Sequence, residues 1–181
     1  AGKDIRNAIR GAMCSAALDA AGFEFSDQGH DVPYIRACQT ASNTSIQTNQ
    51  FAFVTESLGS KIAFDVMREA LTDGRETILD DMIAGSEIYM LANQIALLSL
   101  SDLSLTPKNK PVNSADKARP KIVALSELND FLTYELNPFL EQIWARQVIT
   151  DDADPPEFDI ARRESVAAAL GFDIVDIRLE F

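Results

Sequence analysis

The side chains in this chain that can do chemistry are few, and their spacing narrows what they can do. There is one histidine, His30, set beside Asp31 in a turn rich in Asp, Gln and Gly. A histidine paired with a carboxylate is the start of a general base, but a loop histidine facing water is the plainer reading. One histidine also excludes a multi-histidine metal site. Asp151, Asp152 and Asp154, in "DDADPP", offer oxygens of the type a hard cation takes. They lack the spacing, the glycine and the distal glutamate of a calcium loop, and read as a solvated acidic turn. Asp80 and Asp81 are adjacent on a helix pattern, where neighbouring carboxylates do not share a face. Cys14 and Cys38 read as buried free thiols. The eight glycines are scattered singly, and neither a dinucleotide fingerprint nor a P-loop occurs. The expectation is therefore no catalytic residue, no metal and no cofactor. The alternative is a small hydrolytic enzyme built on His30 with Asp31, or on the aspartates at 151–154.

Charge gives a second kind of site. The chain carries a formal charge of −12, which opposes nucleic acid and anionic membranes overall. Residues 106–121 run the other way: Lys108, Lys110, Lys117, Arg119 and Lys121 stand against Asp116 alone. This cationic loop holds three prolines and no aromatic side chain. The stacking platform of a single-strand binder is missing; a solvated loop is the plainer reading, and the sharper one is contact with an acidic surface or a passing DNA backbone. The charge also favours solubility, and no apolar run is long enough to span a membrane.

The elements that must position these residues follow from periodicity. Residues 3–21 place Ile5, Ile9, Ala12, Met13, Ala16 and Ala20 on one helical stripe. "GFEF", "VPYIRACQT" and "SIQTNQFAFVTES" read as strands, the second opening at a proline. "SKIAFDVMREAL" and "ETILDDMIAG" read as two short helices or one kinked helix. "SEIYMLANQIALLSLSDLSL" fits a buried helix or a long strand, and a helix to Leu98 is the expectation. Ser126 reads as the N-cap of a helix over "ELNDFLTYELNPFLEQIWARQVI", kinked or divided at Pro138. "EFDIARRES" and "FDIVDIRLEF" read as a closing strand pair. In the latter, Val175, Ile177, Leu179 and Phe181 fall on one side, with Phe181 anchored in the core or at a neighbouring subunit. The sum is one α+β domain over 1–181, with helices packed on a mostly antiparallel sheet. A helical insertion covers 59–105, an exposed loop covers 106–121, and a β-hairpin ends the chain.

This order of elements resembles bacteriophage tail-terminator proteins. "DIRNAIRGAMCSAALDAAGFEF" is similar to their opening helix, turn and strand, and "DVPYIRACQT" and "SIQTNQFAFVTES" to their next strands. "LNDFLTYELNPFLEQI" is similar to the helix packed on the sheet, and "FDIARRES" with "DIVDIRLEF" to the terminal strand pair. The middle of the chain, 59–121, is longer than that pattern. The resemblance implies a structural virion protein assembled in the host cytoplasm. It would form a ring, commonly a hexamer, at the head–tail neck, meeting tail tube and connector, with DNA passing through the lumen. The interaction residues would be Lys108, Lys110, Lys117, Arg119, Lys121 and Phe181. The alternative in the same class is another binding module: a head–tail adaptor, a coat subunit or an acidic DNA mimic.

Overall fold

The structure is a computed structural model that describes residues 2–23, 31–41, 51–73, 77–99, 118–127, 135–148 and 158–179. Its elements run α1 (Gly2–Ala20), α2 (Asp31–Thr40), β1 (Ala52–Glu56), α3 (Leu58–Asp73), α4 (Thr77–Ala84), β2 (Glu87–Leu91), α5 (Ile95–Leu98), β3 (Lys121–Glu127), α6 (Asn137–Val148), α7 (Ile160–Leu170) and β4 (Asp173–Leu179). The four strands form one sheet in the order β1-β2-β3-β4, and each neighbouring pair is parallel.

This corrects the mostly antiparallel sheet expected from the sequence, and the terminal hairpin with it. Parallel neighbours require a crossover between strands, and helices supply it. The segment read as the first strand of the hairpin is instead α7. Asp159 caps it, accepting the Arg162 N–H at 2.9 Å, and Gly171 ends it at φ +91°. Val166, Ala167 and Leu170 form its buried stripe, whereas Ile160, which gave the segment its alternating look, is 65% exposed.

Three other elements differ for local reasons. "VPYIRACQT" belongs to α2, where Pro33 sits in the first turn and its missing N–H had no intrahelical acceptor. Tyr34, Ala37, Cys38 and Ala41 follow helical spacing and pack into the core. The expected helix to Leu98 opens as strand β2, because a strand with parallel neighbours on both sides is apolar enough to pass for a buried helix. Ser126 lies inside β3 and caps nothing; α6 begins at Asn137, with Pro138 in its first turn. The helix over 3–21, the pair α3 and α4, and strands β1 and β4 stand where the periodicity places them. Phe181 lies outside the described residues.

The strand order steps in one direction only. Right-handed crossovers then put all their helices on the same face of the sheet. On that face the register lines up Phe53, Ile88, Ile122 and Ile174, then Thr55, Met90, Ala124 and Asp176. Ile88, Met90, Ile122 and Ala124 are fully buried there. Phe64 of α3 ties the layers together. It stacks on Phe172 at 5.1 Å and meets Phe139 of α6 edge-on at 6.3 Å. Cys14 of α1 and Cys38 of α2 are fully buried and form no disulfide. No helix among the described residues is long and apolar enough to cross a membrane.

Candidate functional site

In a parallel sheet all strands end at one edge; doubly wound sheets place ligands at that carboxyl edge where the strand order reverses, a reversal that the β1-β2-β3-β4 order does not contain. Here the carboxyl edge carries two backbone outliers. Ser57 has φ +53° and Ala92 has φ +45°, both in the left-handed region that side chains with a β-carbon avoid. The two follow β1 and β2, whose last residues, Glu56 and Leu91, are register partners. The strained pair therefore sits side by side on adjacent strand ends.

Ser57 occupies a turn of a single residue. The strand β1 ends at Glu56 and the helix α3 begins at Leu58. The Ser57 N–H donates to the Leu91 carbonyl at 3.0 Å, and the Ser57 carbonyl accepts the Ser60 N–H at 3.1 Å. The Thr55 hydroxyl donates to Ser60 Oγ at 3.1 Å, fastening the strand end to the first helical turn. These contacts hold the reversal, and Ser57 is left half-buried at the edge. The N–H groups of Leu58 and Gly59 belong to the first turn of α3, where no intrahelical acceptor exists and the helix dipole favours negative charge.

A serine on a strained strand-to-helix turn is the device by which serine hydrolases present a nucleophile. The local sequence, Thr55-Glu56-Ser57-Leu58-Gly59, keeps the serine and the second glycine of that G-x-S-x-G pattern and has threonine for the first. A β-carbon built on Gly59 meets no heavy atom within 4 Å, so packing does not impose that glycine. Across the same edge, Glu127 ends β3 as an exposed carboxylate, two strands from Ser57 and on the order of 10 Å away. Next to it, the buried Ser126 hydroxyl has no hydrogen-bond partner among the described residues.

The residues singled out from the sequence fall elsewhere. Arg119 and Lys121 lie at the opposite, amino edge, where they line a hollow with Phe51, Gly85, Ser86 and Glu87. Both face carboxylates: Arg119 Nε is 2.7 Å from Asp173, and Lys121 Nζ is 4.0 Å from Glu87. Lys108, Lys110, Lys117, His30, Asp151, Asp152 and Asp154 lie outside the described residues. Asp80 is buried in α4 rather than on its surface, and Asp81 is partly covered. No cluster of three or more metal-ligating side chains occurs among the described residues. Sequence reasoning missed Ser57. The signal was present as a serine and a glycine two apart, between an apolar strand and an amphipathic helix.

Asp176 of β4 is a partly buried carboxylate with two backbone donors. Its two oxygens accept the N–H groups of Leu136 and Asn137 at 2.9 and 2.8 Å, at the start of α6. Burial raises its pKa above the ordinary carboxylate value; the two N–H donors pull the other way without winning. It is a helix anchor on the covered face.

Comparison with protein-family models, curated proteins and solved structures finds no match to this chain.

Proposed function

We propose that this chain carries the nucleophile of an acyl-transfer enzyme, a serine hydrolase in the broad sense, with Ser57 attacking an ester-type carbonyl. The observation that carries the reading is the left-handed φ of Ser57 on a one-residue turn at the carboxyl edge of a parallel sheet. In that reaction Ser57 Oγ adds to the carbonyl carbon as a base takes its proton, and the carbonyl oxygen becomes an oxyanion. The Leu58 N–H, at the head of α3, is placed to donate to that oxyanion. Glu127 is the candidate to orient the base. No histidine occurs among the described residues, so the base itself is unassigned.

The reading takes up the hydrolytic alternative and moves it away from His30 and the aspartates at 151–154. A ring-forming neck protein is the alternative reading; two of the segments that carried that resemblance differ, the proline-led one being helix α2 and the terminal pair a helix followed by a parallel strand.

The test is labelling with a fluorophosphonate probe, followed by peptide mass spectrometry. The expected result is one adduct, on Ser57, abolished in Ser57→Ala. Labelling that survives in Ser57→Ala, or no labelling of a folded protein, overturns the proposal.

A further inference from the structure

Among the described residues, no helix or strand covers the face of the sheet opposite the helices, and its central rows are largely apolar. In register it presents Val54, Tyr89, Val123 and Val175 in one row, and Glu56, Leu91, Leu125 and Ile177 in the next, so the apolar part centres on β2, β3 and β4. Val54 is 70% exposed, Val175 41%, Ile177 40% and Leu91 37%, while Val123 in the middle is buried. Parallel sheets are normally covered on both faces, and contiguous apolar patches mark interaction surfaces.

We infer that this open face is the interface of a twofold dimer, with a second copy of the chain as its occupant. The argument is self-complementarity. On this face β3 presents Lys121, Val123, Leu125 and Glu127 in that order. A twofold axis lying across the strands lays β3 antiparallel on its copy. Lys121 then meets Glu127 of the partner subunit, Val123 meets the partner's Leu125, and both contacts occur twice. Lys121 is only loosely held within its own chain, 4.0 Å from Glu87. In the same arrangement Tyr89 meets the partner's Leu91 and Val175 meets the partner's Ile177, while at the outer strand Val54 lies against the partner's Glu56. Sheets stacked face to face sit about 10 Å apart, the depth of two interlocking rows of such side chains.

Four strands at about 4.8 Å spacing and five to seven residues at about 3.3 Å each make a face of roughly 400 Å² per copy. The pair covers roughly 800 Å², short of the about 1,200 Å² at which stable specific interfaces begin. The dimer is accordingly weak and dependent on concentration. It does not involve Ser57, but it shares Glu127 with the proposed site, so the charge swap is read by mass alone.

Light scattering after size exclusion, over a dilution series, tests it. The expected result is a reversible shift between the 19.8 kDa monomer and twice that mass. Val54→Glu and Ile177→Glu should each hold the protein at the monomer mass with an unchanged far-ultraviolet spectrum. Lys121→Glu should do the same, and adding Glu127→Lys should restore the dimer. A wild-type protein that stays monomeric at every concentration overturns the inference. So does a mass above the dimer, a dimer that survives both Val54→Glu and Ile177→Glu, or a charge swap that fails to restore pairing.

Discussion

At Ser57 the backbone accepts a conformation that costs a residue with a β-carbon about 1–2 kcal/mol. Glycine would remove that strain, so Ser57→Gly is expected to raise stability by about 1 kcal/mol in urea unfolding while abolishing the probe adduct. A gain in stability with a loss of reactivity marks strain kept for function. Ala92→Gly is the companion measurement. The strain is similar but there is no hydroxyl, so the same gain should leave labelling of Ser57 intact. Gly59→Ala reads the space beside the nucleophile. With open space at its β-carbon and a helical backbone, the substitution should stabilise α3 by about 0.5–1 kcal/mol. If labelling falls all the same, the glycine is kept for the approach of substrate.

Among the elements, the join between α6 and β4 depends on one carboxylate. Asp176 receives both leading N–H groups of the α6 start. Asp176→Asn keeps one acceptor oxygen and is expected to cost about 1–2 kcal/mol in mild acid. Burial raises the folded pKa of Asp176 above its unfolded value, with Glu135 adding to the rise and Arg163 opposing it. The stability it contributes is therefore complete below the unfolded carboxylate value, near about 4, and is lost as pH rises through the folded value. The asparagine variant lacks this dependence. The gap between wild type and Asp176→Asn should narrow as pH rises, and urea midpoints across that range measure it. A gap that widens instead would mean the two N–H donors outweigh burial. The same strand shows what periodicity records and what it omits. Its alternation identifies β4 as a strand, but it suggests that Val175 and Ile177 face the core. Instead the covered side carries Ile174 and Asp176, because a partly buried carboxylate is satisfied by helix N–H groups that the local sequence does not announce. In α2 and α7, a proline in a first turn and a chance alternation ending at Ile160 concealed helices whose apolar residues were at the right spacing.

Over the whole molecule, parallel pairing is a property of connections rather than of any single strand. The repeats of strand then helix from β1 through β4 contain it, but only once β2 is separated from the helical run around it. The candidate site follows the same logic. Ser57 is legible as a serine in any reading, and becomes a nucleophile candidate only when the turn lies at the carboxyl edge of a parallel sheet. An aromatic contact ties the helix that Ser57 introduces to the rest of the core. Phe64 lies on α3, the helix that Ser57 introduces, and joins it to Phe139 of α6 and to Phe172 just before β4. Phe64→Ala is expected to cost about 3–5 kcal/mol, because the side chain is fully buried and rings on two other elements would line the cavity. If the sheet and its helices unfold as one unit, the variant should lose stability by circular dichroism and by probe labelling at the same denaturant concentration. Labelling lost well before the helical signal would instead mean that the β1–α3 corner opens alone, and that the strain at Ser57 is carried locally rather than by the whole core.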